Sequence, residues 1–387
     1  MSALKNFIRT ASTPSELKAL LQFSVNEKPR EVIHLAESAA SKTDLEFCYD
    51  ALTKVSRSFA IVIQQLPEEL KDVVCVFYLI LRGLDTVEDD MTLDETEKER
   101  LLRQFYRSCY LSDFKLHGIG DTEDYRLLLQ HFDKVTRSFN ALKEDYKEVI
   151  SDICFRMGNG MADSCSYEIK TVQDYDIYCH YVAGLVGQGL SELFAASGYE
   201  SEDLAAEMEL ANSMGLLLQK TNITRDFLED FEAGRVFLPK EIWGKYHAEL
   251  SLFASAPYHA LSLQGLNALI ENALNHFTDS VLYLQKLRNQ QVFRFCAIPQ
   301  LMALATLIEI YDNPAVFMQN VKIRKSLSAK IIMETTDFES VKKMMLNFIS
   351  ELEQKMQQSP NTPPALWTTT HTIKGSLGEE ISNPILF

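Results

Sequence analysis

Two clusters of carboxylates with the same internal spacing are the residues best suited to chemistry. The first lies in LRGLDTVEDDM (81–91), directly after an apolar run, and the second lies in LQKTNITRDFLEDFEAGR (218–235). Like charges four residues apart destabilise a helix by roughly 0.2–0.5 kcal/mol, and by more away from water, so a compensating cation is expected. Carboxylates suit Mg²⁺, which completes its octahedron with phosphates and water. We predict a site for Mg²⁺ and a diphosphate, with these ligands: Asp85, Asp89, Asp226 and Asp230 directly, and Glu88 and Glu229 as outer ligands.

Helical geometry places the members of each cluster on one face. Because each residue of an α-helix turns about 100°, the stripe through Asp85 and Asp89 continues the apolar face of its helix. A second stripe, through Asp226 and Asp230, is small or polar for several turns and is expected to line a wet cavity. One acidic cluster alone is most often a solvated helix face, but two aligned copies favour a binding site. The neighbouring Asp90 lies off the first stripe, and the sequence assigns it no role.

The elements that position these clusters are predicted to be helices. The chain has only 15 Gly and 11 Pro in 387 residues, and its apolar residues from 70 to 87 follow the 3/4 spacing of an amphipathic helix. Almost nothing alternates as a strand does. We therefore expect a single all-α domain over residues 31–355, after an N-terminal segment, 1–30. Residues 356–387 are rich in Pro, Thr and Ser and are predicted to form a flexible tail.

Composition limits the classes of function. The formal charge of −16 argues against nucleic acid as a partner, because phosphate backbones require a basic surface. The seven Cys are spread singly, which indicates a reducing compartment without disulfides or a zinc site. The sequence contains no run of 18 apolar residues and no secretory signal.

Seven blocks of sequence, in chain order, resemble the squalene synthase family. The third and sixth blocks are much more specific than the acidic motifs, which alone indicate only isoprenoid-diphosphate chemistry. The blocks span roughly residues 45 to 330 and are SRSFAIVIQQLP (56–67), FYLILRGLDTVEDD (77–90), DYDIYCHYVAGLVG (174–187), NSMGLLLQKTNITRDFLED (212–230), GRVFLPKEIW (234–243), LRNQQVFRFCAIPQLMALATL (287–307) and VKIRK (321–325).

This resemblance implies a reaction and a fold. Squalene synthases condense two farnesyl diphosphates head to head into presqualene diphosphate, and then rearrange and reduce it with NADPH to squalene. The family fold is an isoprenoid-synthase helical bundle around a central cavity. The resemblance further implies an enzyme on the cytosolic face of the endoplasmic reticulum membrane, and we expect a monomer.

The resemblance also assigns roles to residues outside the acidic clusters. Tyr178 matches the catalytic tyrosine, and a phenol can carry a proton. Phe59 and Phe295 are expected to stabilise carbocations with their ring faces, as aromatic rings do for other cations. Arg82 is expected to assist catalysis by binding the leaving diphosphate. The remaining substrate-binding candidates are Ser56, Arg57, Ser58, Tyr78, Gln219, Asn222 and Arg235.

Each of these residues also has a purely structural interpretation. An arginine among acids usually forms an ion pair, a lone core tyrosine usually has a satisfied hydroxyl, and most of the 22 Phe must simply fill the core. The basic stretch 321–330 matches the segment that serves NADPH in the family, through Lys322, Arg324 and Lys325. Basic loops are otherwise usually solvated.

The sequence departs from the family pattern in two ways, and two alternative functions are also compatible with it. Family members end in a hydrophobic anchor that this sequence lacks, and we expect the Pro-rich tail to precede such an anchor. Arg294 replaces a small polar residue that is common beside the cavity aromatic. One alternative is a related synthase that stops at presqualene diphosphate or forms an unreduced C30 or C40 product. The other is a non-catalytic helical protein that uses its carboxylates to bind metal or partner helices.

Overall fold

A computed structural model describes residues 15–16, 18–20, 33–165, 167–255 and 259–379, and the regular secondary structure in these parts is helical. These residues contain no β-strand, which confirms the all-α fold class. We number the α-helices from residue 33 onward: α1 Leu35–Ser41, α2 Asp44–Val55, α3 Arg57–Ile63, α4 Glu68–Asp89, α5 Glu95–Ser108, α6 Glu123–Gln130, α7 Phe132–Asn140, α8 Glu144–Ser164, α9 Val172–Cys179, α10 Leu185–Ala196, α11 Met208–Arg225, α12 Phe227–Glu232, α13 Lys240–Trp243, α14 Leu250–Phe253, α15 His259–Leu274, α16 Phe277–Lys286, α17 Gln290–Ile310, α18 Lys325–Glu334, α19 Phe338–Gln358 and α20 Pro364–Ser376.

Helix α4, which carries the first carboxylate cluster, has well-defined ends. It begins after Pro67 and has Glu68 and Glu69 in its first turn, where the helix dipole favours acids. It ends as Asp90 adopts an extended conformation. The next helix, α5, is capped by Asp94, whose side chain accepts hydrogen bonds from two backbone N–H groups of the first turn.

Helix α11 is the central helix of the bundle. It packs against α10, α15, α16 and α17, and against a π-helical turn at His180–Gly184 between α9 and α10. Glycines permit this close approach: a Cβ on Gly187 would lie 2.2 Å from the carbonyl oxygen of Ala211, and one on Gly215 would lie 2.2 Å from that of Ala183. The backbones of α10 and α11 therefore touch, and no larger side chain fits between them.

Helix α17 forms another wall of the core. Among the described residues it is the one helix long and apolar enough to cross a membrane, but 78% of its apolar window is buried inside the fold. Its N-terminus is fixed by Glu200, whose buried carboxylate accepts hydrogen bonds from the backbone N–H groups of Arg288 and Asn289. The helix is therefore a core element of this bundle.

The prediction of a flexible tail from residue 356 is wrong as far as residue 379. Helix α19 continues to Gln358, and α20 packs against α15, α16 and α19. Leu366 and Ile373 of α20 are fully buried. The Pro- and Thr-rich composition concealed this helix, because its apolar residues are few and lie on one face. The rest of the tail, residues 380–387, lies outside the described residues.

Candidate active site

A cavity of about 210 Å³ lies between α3, α4, α10, α11 and α17. Its walls are mostly apolar, and α4 and α11 both contribute polar side chains to the lining. From α4, Val74, Tyr78, Leu81, Arg82 and Asp85 line this cavity. Asp89, the other acid of the predicted stripe, lines a second cavity instead. From α11 the polar stripe contributes Gly215, Gln219 and Asn222. The aromatic candidates Phe59 and Phe295 also lie on the wall.

Arg82 occupies the polar end of the cavity. Its guanidinium lies 3.4 Å from Asp85, and it donates a 3.0 Å hydrogen bond to the Tyr78 hydroxyl. Two tyrosine rings flank it, with their centroids 5.6 Å (Tyr78) and 5.7 Å (Tyr125) from the Arg82 Cζ. The buried Nε of Arg82 has no hydrogen-bond partner within the protein. A cation with a spare donor at the end of an apolar cavity suits an anionic head group attached to an apolar tail.

The carboxylates of the first cluster share an excess of buried negative charge. Burial, together with the nearby charge of Asp89, raises the pKa of Asp85 to about 6, against the opposing effect of Arg82. Burial and the other two carboxylates also raise the pKa of Glu88 well above its usual range. The pKa of Asp89 is raised by burial as well, although Arg235 and Arg82 oppose the shift. The arginines therefore do not fully offset this charge.

The second cluster differs from the prediction of one continuous helix. Asp226 interrupts the helix between α11 and α12, and its carboxylate is paired with its own neighbour, Arg225, whose Nε lies 2.7 Å away. Asp230 accepts bonds of 3.1 and 2.9 Å from Arg235. Burial raises the pKa of Asp230 to about 6, with Asp226 and Asp89 adding to the shift against Arg235. Glu229 is exposed, which suits its prediction as an outer ligand.

Arg235 joins the two clusters electrostatically. It is hydrogen-bonded to Asp230 of the second cluster, and its charge also acts on Glu88 and Asp89 of the first. Asp230 and Arg235 are each only 17% exposed. Carboxylates of both clusters therefore interact with the same arginine.

Tyr178 lies in an adjoining cavity of about 350 Å³ rather than in the central one. The same cavity is lined by Glu88, Asp89 and Arg235. The Tyr178 ring stacks on Phe237 with their centroids 5.1 Å apart and an interplanar angle of 15°. Burial, followed by the charges of Glu88 and Asp89, raises the pKa of Tyr178 well above its usual range. Its hydroxyl is therefore protonated at neutral pH and lies beside the carboxylate cluster.

The chemistry of these donors fits Mg²⁺ even though no metal cage is preassembled. Among the described residues, no three His, Cys, Asp or Glu side chains are grouped closely enough to hold a metal ion by themselves. The raised pKa values of Asp85, Glu88, Asp89 and Asp230 nevertheless indicate negative charge that a cation would stabilise. Mg²⁺ normally takes only one or two carboxylates and completes its shell with phosphate oxygens and water.

The candidates at the start of α3 do not reach the central cavity. Arg57 and Ser58 are exposed, and Ser56 precedes the helix without making a side-chain cap. Phe59, the next residue, does line the cavity, and its ring centroid is 5.3 Å from that of Tyr78. The helix therefore directs its aromatic residue inward and its arginine outward.

The basic segment lies next to the second acidic cluster but is partly neutralised. Asn320, just before it, donates a 3.3 Å hydrogen bond to Glu229. Lys322 and Lys325 are exposed. The third candidate, Arg324, is nearly buried in an ion pair with Glu16 at 2.7 Å. Arg324 therefore takes the structural role that the sequence interpretation considered for arginines in general.

Arg294, one of the departures from the family pattern, is accommodated outside the central cavity. Its guanidinium points away from the central cavity and donates to the Gln65 side chain and to the carbonyls of Ile332 and Thr335. Those carbonyls belong to the C-terminal end of α18, where a cation is favourable. The larger side chain is thus accommodated between helices, and the cavity wall beside Phe295 is unaffected.

Several residues of the site were missed by the sequence interpretation. Tyr125 stacks on Arg82, and Asp121 acts electrostatically on both Asp89 and Arg235. Both come from the loop before α6 and from its first turn, far from either motif, so no spacing signalled them. Arg225 could have been found, because an arginine directly before an aspartate is a simple ion-pair signal.

Comparison with known proteins shows the family of this chain. The model of the squalene/phytoene synthase family matches residues 52–327. The squalene synthase of Rattus norvegicus is 44% identical over 377 residues, which cover 97% of this chain and 89% of the relative. That of Homo sapiens is 42% identical with the same coverage. The squalene synthase of Dictyostelium discoideum is 42% identical over 367 residues, which cover 94% of this chain and 87% of the relative.

Solved structures agree with the sequence relatives. A complex of TcSQS with the ligand E5700 superposes with a TM-score of 0.84 at 42% identity, covering 87% of this chain and 98% of the other. A dehydrosqualene synthase, at 21% identity and a TM-score of 0.57, shares the fold. The isoprenoid-synthase fold inferred from the motifs is confirmed. The chain belongs to the squalene/phytoene synthase family, as a transferase of the squalene synthase group.

Proposed function

We propose that the protein condenses two farnesyl diphosphates into presqualene diphosphate and then reduces this intermediate to squalene. The observation that carries the proposal is an apolar cavity lined by Arg82 and Asp85, beside carboxylates of both clusters that interact with Arg235. The likeness to squalene synthases over 97% of the chain supports the choice of substrate and product. A farnesyl chain suits the apolar walls, and a diphosphate suits the polar end.

The chain's own residues are suited to bind and ionise an allylic diphosphate. Asp85, Asp89, Asp226 and Asp230 are the proposed Mg²⁺ ligands, with Glu88 and Glu229 in the outer shell. Bound Mg²⁺ would neutralise the charge of the leaving diphosphate. Arg82 and Arg235 add fixed positive charge in a partly dry site, where it stabilises the departing anion more than it would in water. For Asp226 and Asp230 to ligate a metal, the arginines now paired with them must turn towards the diphosphate.

Other residues are proposed to guide the carbocation. Phe59 and Phe295 present aromatic walls to the cavity, and a ring face stabilises a nearby positive charge by about 0.5–2 kcal/mol. The Tyr178 hydroxyl, protonated and beside Glu88 and Asp89, is proposed to carry the proton lost when the cyclopropane closes. Gln219 and Asn222 offer amide groups at the same end of the cavity.

We propose NADPH as the reductant, held near the second carboxylate cluster. NADPH supplies the hydride that quenches the final carbocation. Lys322 and Lys325 are exposed cations in an otherwise acidic protein, and they suit the phosphates of the dinucleotide. The hydrogen bond between Asn320 and Glu229 holds their segment beside the acidic helix α12. Arg324 joins them only if Glu16 releases it.

The product formed with and without NADPH tests the function. Purified protein incubated with farnesyl diphosphate and Mg²⁺ is expected to accumulate presqualene diphosphate, and addition of NADPH is expected to convert it to squalene. Labelled products separated by chromatography give both yields. A hydrocarbon formed equally well without NADPH would favour the related synthases that release an unreduced product. No condensation at all would refute the proposal.

The double variant Lys322→Ala/Lys325→Ala tests the cofactor segment. Each lost cation removes one phosphate contact, so the KM for NADPH is expected to rise about tenfold, equivalent to about 1.4 kcal/mol. Presqualene diphosphate formation should keep its wild-type rate, because the first half-reaction uses no NADPH. Lys240→Ala/Lys245→Ala, which removes two exposed lysines at and just after α13, serves as the charge-matched control. An unchanged KM for NADPH would place the cofactor elsewhere.

We further propose that the protein works as a monomer on the cytosolic face of the endoplasmic reticulum membrane. This rests on the likeness to squalene synthases and on the chemistry of the product, which is a hydrocarbon that must enter a bilayer. Co-sedimentation of the protein with microsomes, and its mass by light scattering, test the two statements separately.

A further inference from the structure

Asp90, the acid to which the sequence assigned no role, joins two separate parts of the active site. It ends α4, is 4% exposed, and accepts three hydrogen bonds. One carboxylate oxygen accepts from the backbone N–H and the hydroxyl of Thr92, at 2.8 and 2.6 Å. The other accepts from the backbone N–H of Gly120, at 2.8 Å. Asp90 therefore ties the end of the metal-binding helix to a loop thirty residues further along the chain.

The loop that Asp90 holds is fitted closely to α4. Gly120 has a φ of 120°, a conformation that favours glycine, and a Cβ there would lie 3.1 Å from the Thr86 side chain of α4. The carbonyl of Gly120 accepts a 2.8 Å hydrogen bond from Arg126 in the first turn of α6. Both polar backbone groups of this glycine are thus fixed, one to α4 and one to α6.

Tyr125, next to Arg126, reaches the active site. Its ring lies against the Arg82 guanidinium, on which the Tyr78 ring also packs. Asp121, next to Gly120, influences Asp89 and Arg235 through its charge. Loop 118–126, which includes the first turn of α6, therefore contacts the active site through the Arg82 guanidinium.

We propose that Asp90 is a positioning residue: it anchors loop 118–126 so that Tyr125 holds the Arg82 guanidinium towards the substrate diphosphate. The inference rests on the proposed function, since Arg82 is taken as a diphosphate-binding group. Asp90 touches no substrate itself. Two contacts with Thr92 fix the Asp90 carboxylate, and the third sets the position of Gly120. Gly120 in turn sets the start of α6, which carries Tyr125.

The variant Asp90→Asn tests this anchor with little change of shape. An amide has one acceptor oxygen and one donor nitrogen, so it cannot accept from Thr92 and Gly120 at both ends. One tie must break. The KM for farnesyl diphosphate and the Kd for inorganic diphosphate with Mg²⁺ are expected to rise roughly 3- to 30-fold, the range associated with losing a cation–π contact. Tyr125→Leu is expected to give the same increase, and Tyr125→Phe, which keeps the ring, a much smaller one.

A double-mutant cycle separates this role from a general loss of stability. If Asp90 acts through Tyr125, the double variant Asp90→Asn/Tyr125→Leu raises the KM no more than either single change does. Asp94→Ala removes the neighbouring α5 cap and should lower the melting temperature while leaving the KM unchanged. Additive effects on KM, or equal behaviour of Asp90→Asn and Asp94→Ala, would overturn the proposal. A wild-type protein that forms no presqualene diphosphate but binds Mg²⁺-diphosphate would refute the proposed function and leave this inference testable by Kd.

Discussion

Replacing Asp85 by Asn is expected to lower the rate of presqualene diphosphate formation by at least about 10²- to 10³-fold, while the protein remains folded. Asp85 lies where the apolar cavity meets Arg82 and the other carboxylates. An asparagine has nearly the same shape but no charge, so it binds a divalent cation poorly. The measurement is the rate of conversion of labelled farnesyl diphosphate at saturating Mg²⁺.

The same change is expected to stabilise the metal-free protein at neutral pH. Burial raises the pKa of Asp85 to about 6, so between about pH 4 and 6 the folded state binds a proton that the unfolded chain has released. The free energy of unfolding therefore falls as the pH rises through this window. Removing the charge should raise the free energy of unfolding by on the order of 1 kcal/mol at pH 7 and by almost nothing at pH 4. Thermal unfolding in a chelator at both pH values measures the difference.

A surface aspartate provides the matched control for Asp85. Asp163→Asn removes a charge from α8, where the carboxylate pairs with Arg103 on the surface and is 64% exposed. It should change neither the rate nor the pH dependence of stability by much, since exposed ion pairs contribute little. If Asp85→Asn retained wild-type turnover, its assignment as a metal ligand would be wrong. The non-catalytic interpretation would then regain support if no condensation could be measured at all.

The fold was largely predictable from the sequence because the patterns that indicate its helices lie within short stretches of the chain. Few helix breakers, the 3/4 spacing of apolar residues and the acidic first turn of α5 are visible without tertiary contacts. Helix α20 was not predicted, because its stability comes from burying Leu366 and Ile373 against other helices. The break at Asp226 was also missed. The sequence there has no Gly or Pro, and a continuous helix was the simplest interpretation.

The candidate site was predictable only in part, for a physical reason. Spacing along one helix predicted that Asp85 continues the apolar face of α4, and Asp85 does line the cavity. Contacts between distant segments have no such signal: the stacking of Tyr125 on Arg82 and the pairing of Arg324 with Glu16 each join residues far apart in the chain. The role of Asp90 likewise depends on Gly120, which approaches only in the folded protein.

Replacing Tyr178 by Phe is expected to lower the turnover of the first half-reaction by about 10²- to 10⁴-fold with little change in KM. The change removes only the hydroxyl, so the stack on Phe237 is retained and the melting temperature should stay close to that of the wild type. Burial and the charges of Glu88 and Asp89 keep the pKa of Tyr178 far above neutrality. The Tyr178 hydroxyl can therefore donate a proton throughout the physiological pH range. It can accept a proton only if it releases its own proton at the same time.

Tyr167→Phe distinguishes loss of this proton carrier from general damage to the cavity. Tyr167 lines the same adjoining cavity, but its ring is 56% exposed and its hydroxyl donates to Asp174. Losing that hydroxyl removes a hydrogen bond at the rim, and the turnover should stay within about threefold of wild type. Binding of Mg²⁺ and inorganic diphosphate should be unchanged in both variants, because neither hydroxyl is proposed as a ligand. Near-normal turnover in Tyr178→Phe would make this residue a core tyrosine, and an equal loss in both variants would point to the shape of the cavity instead of proton transfer.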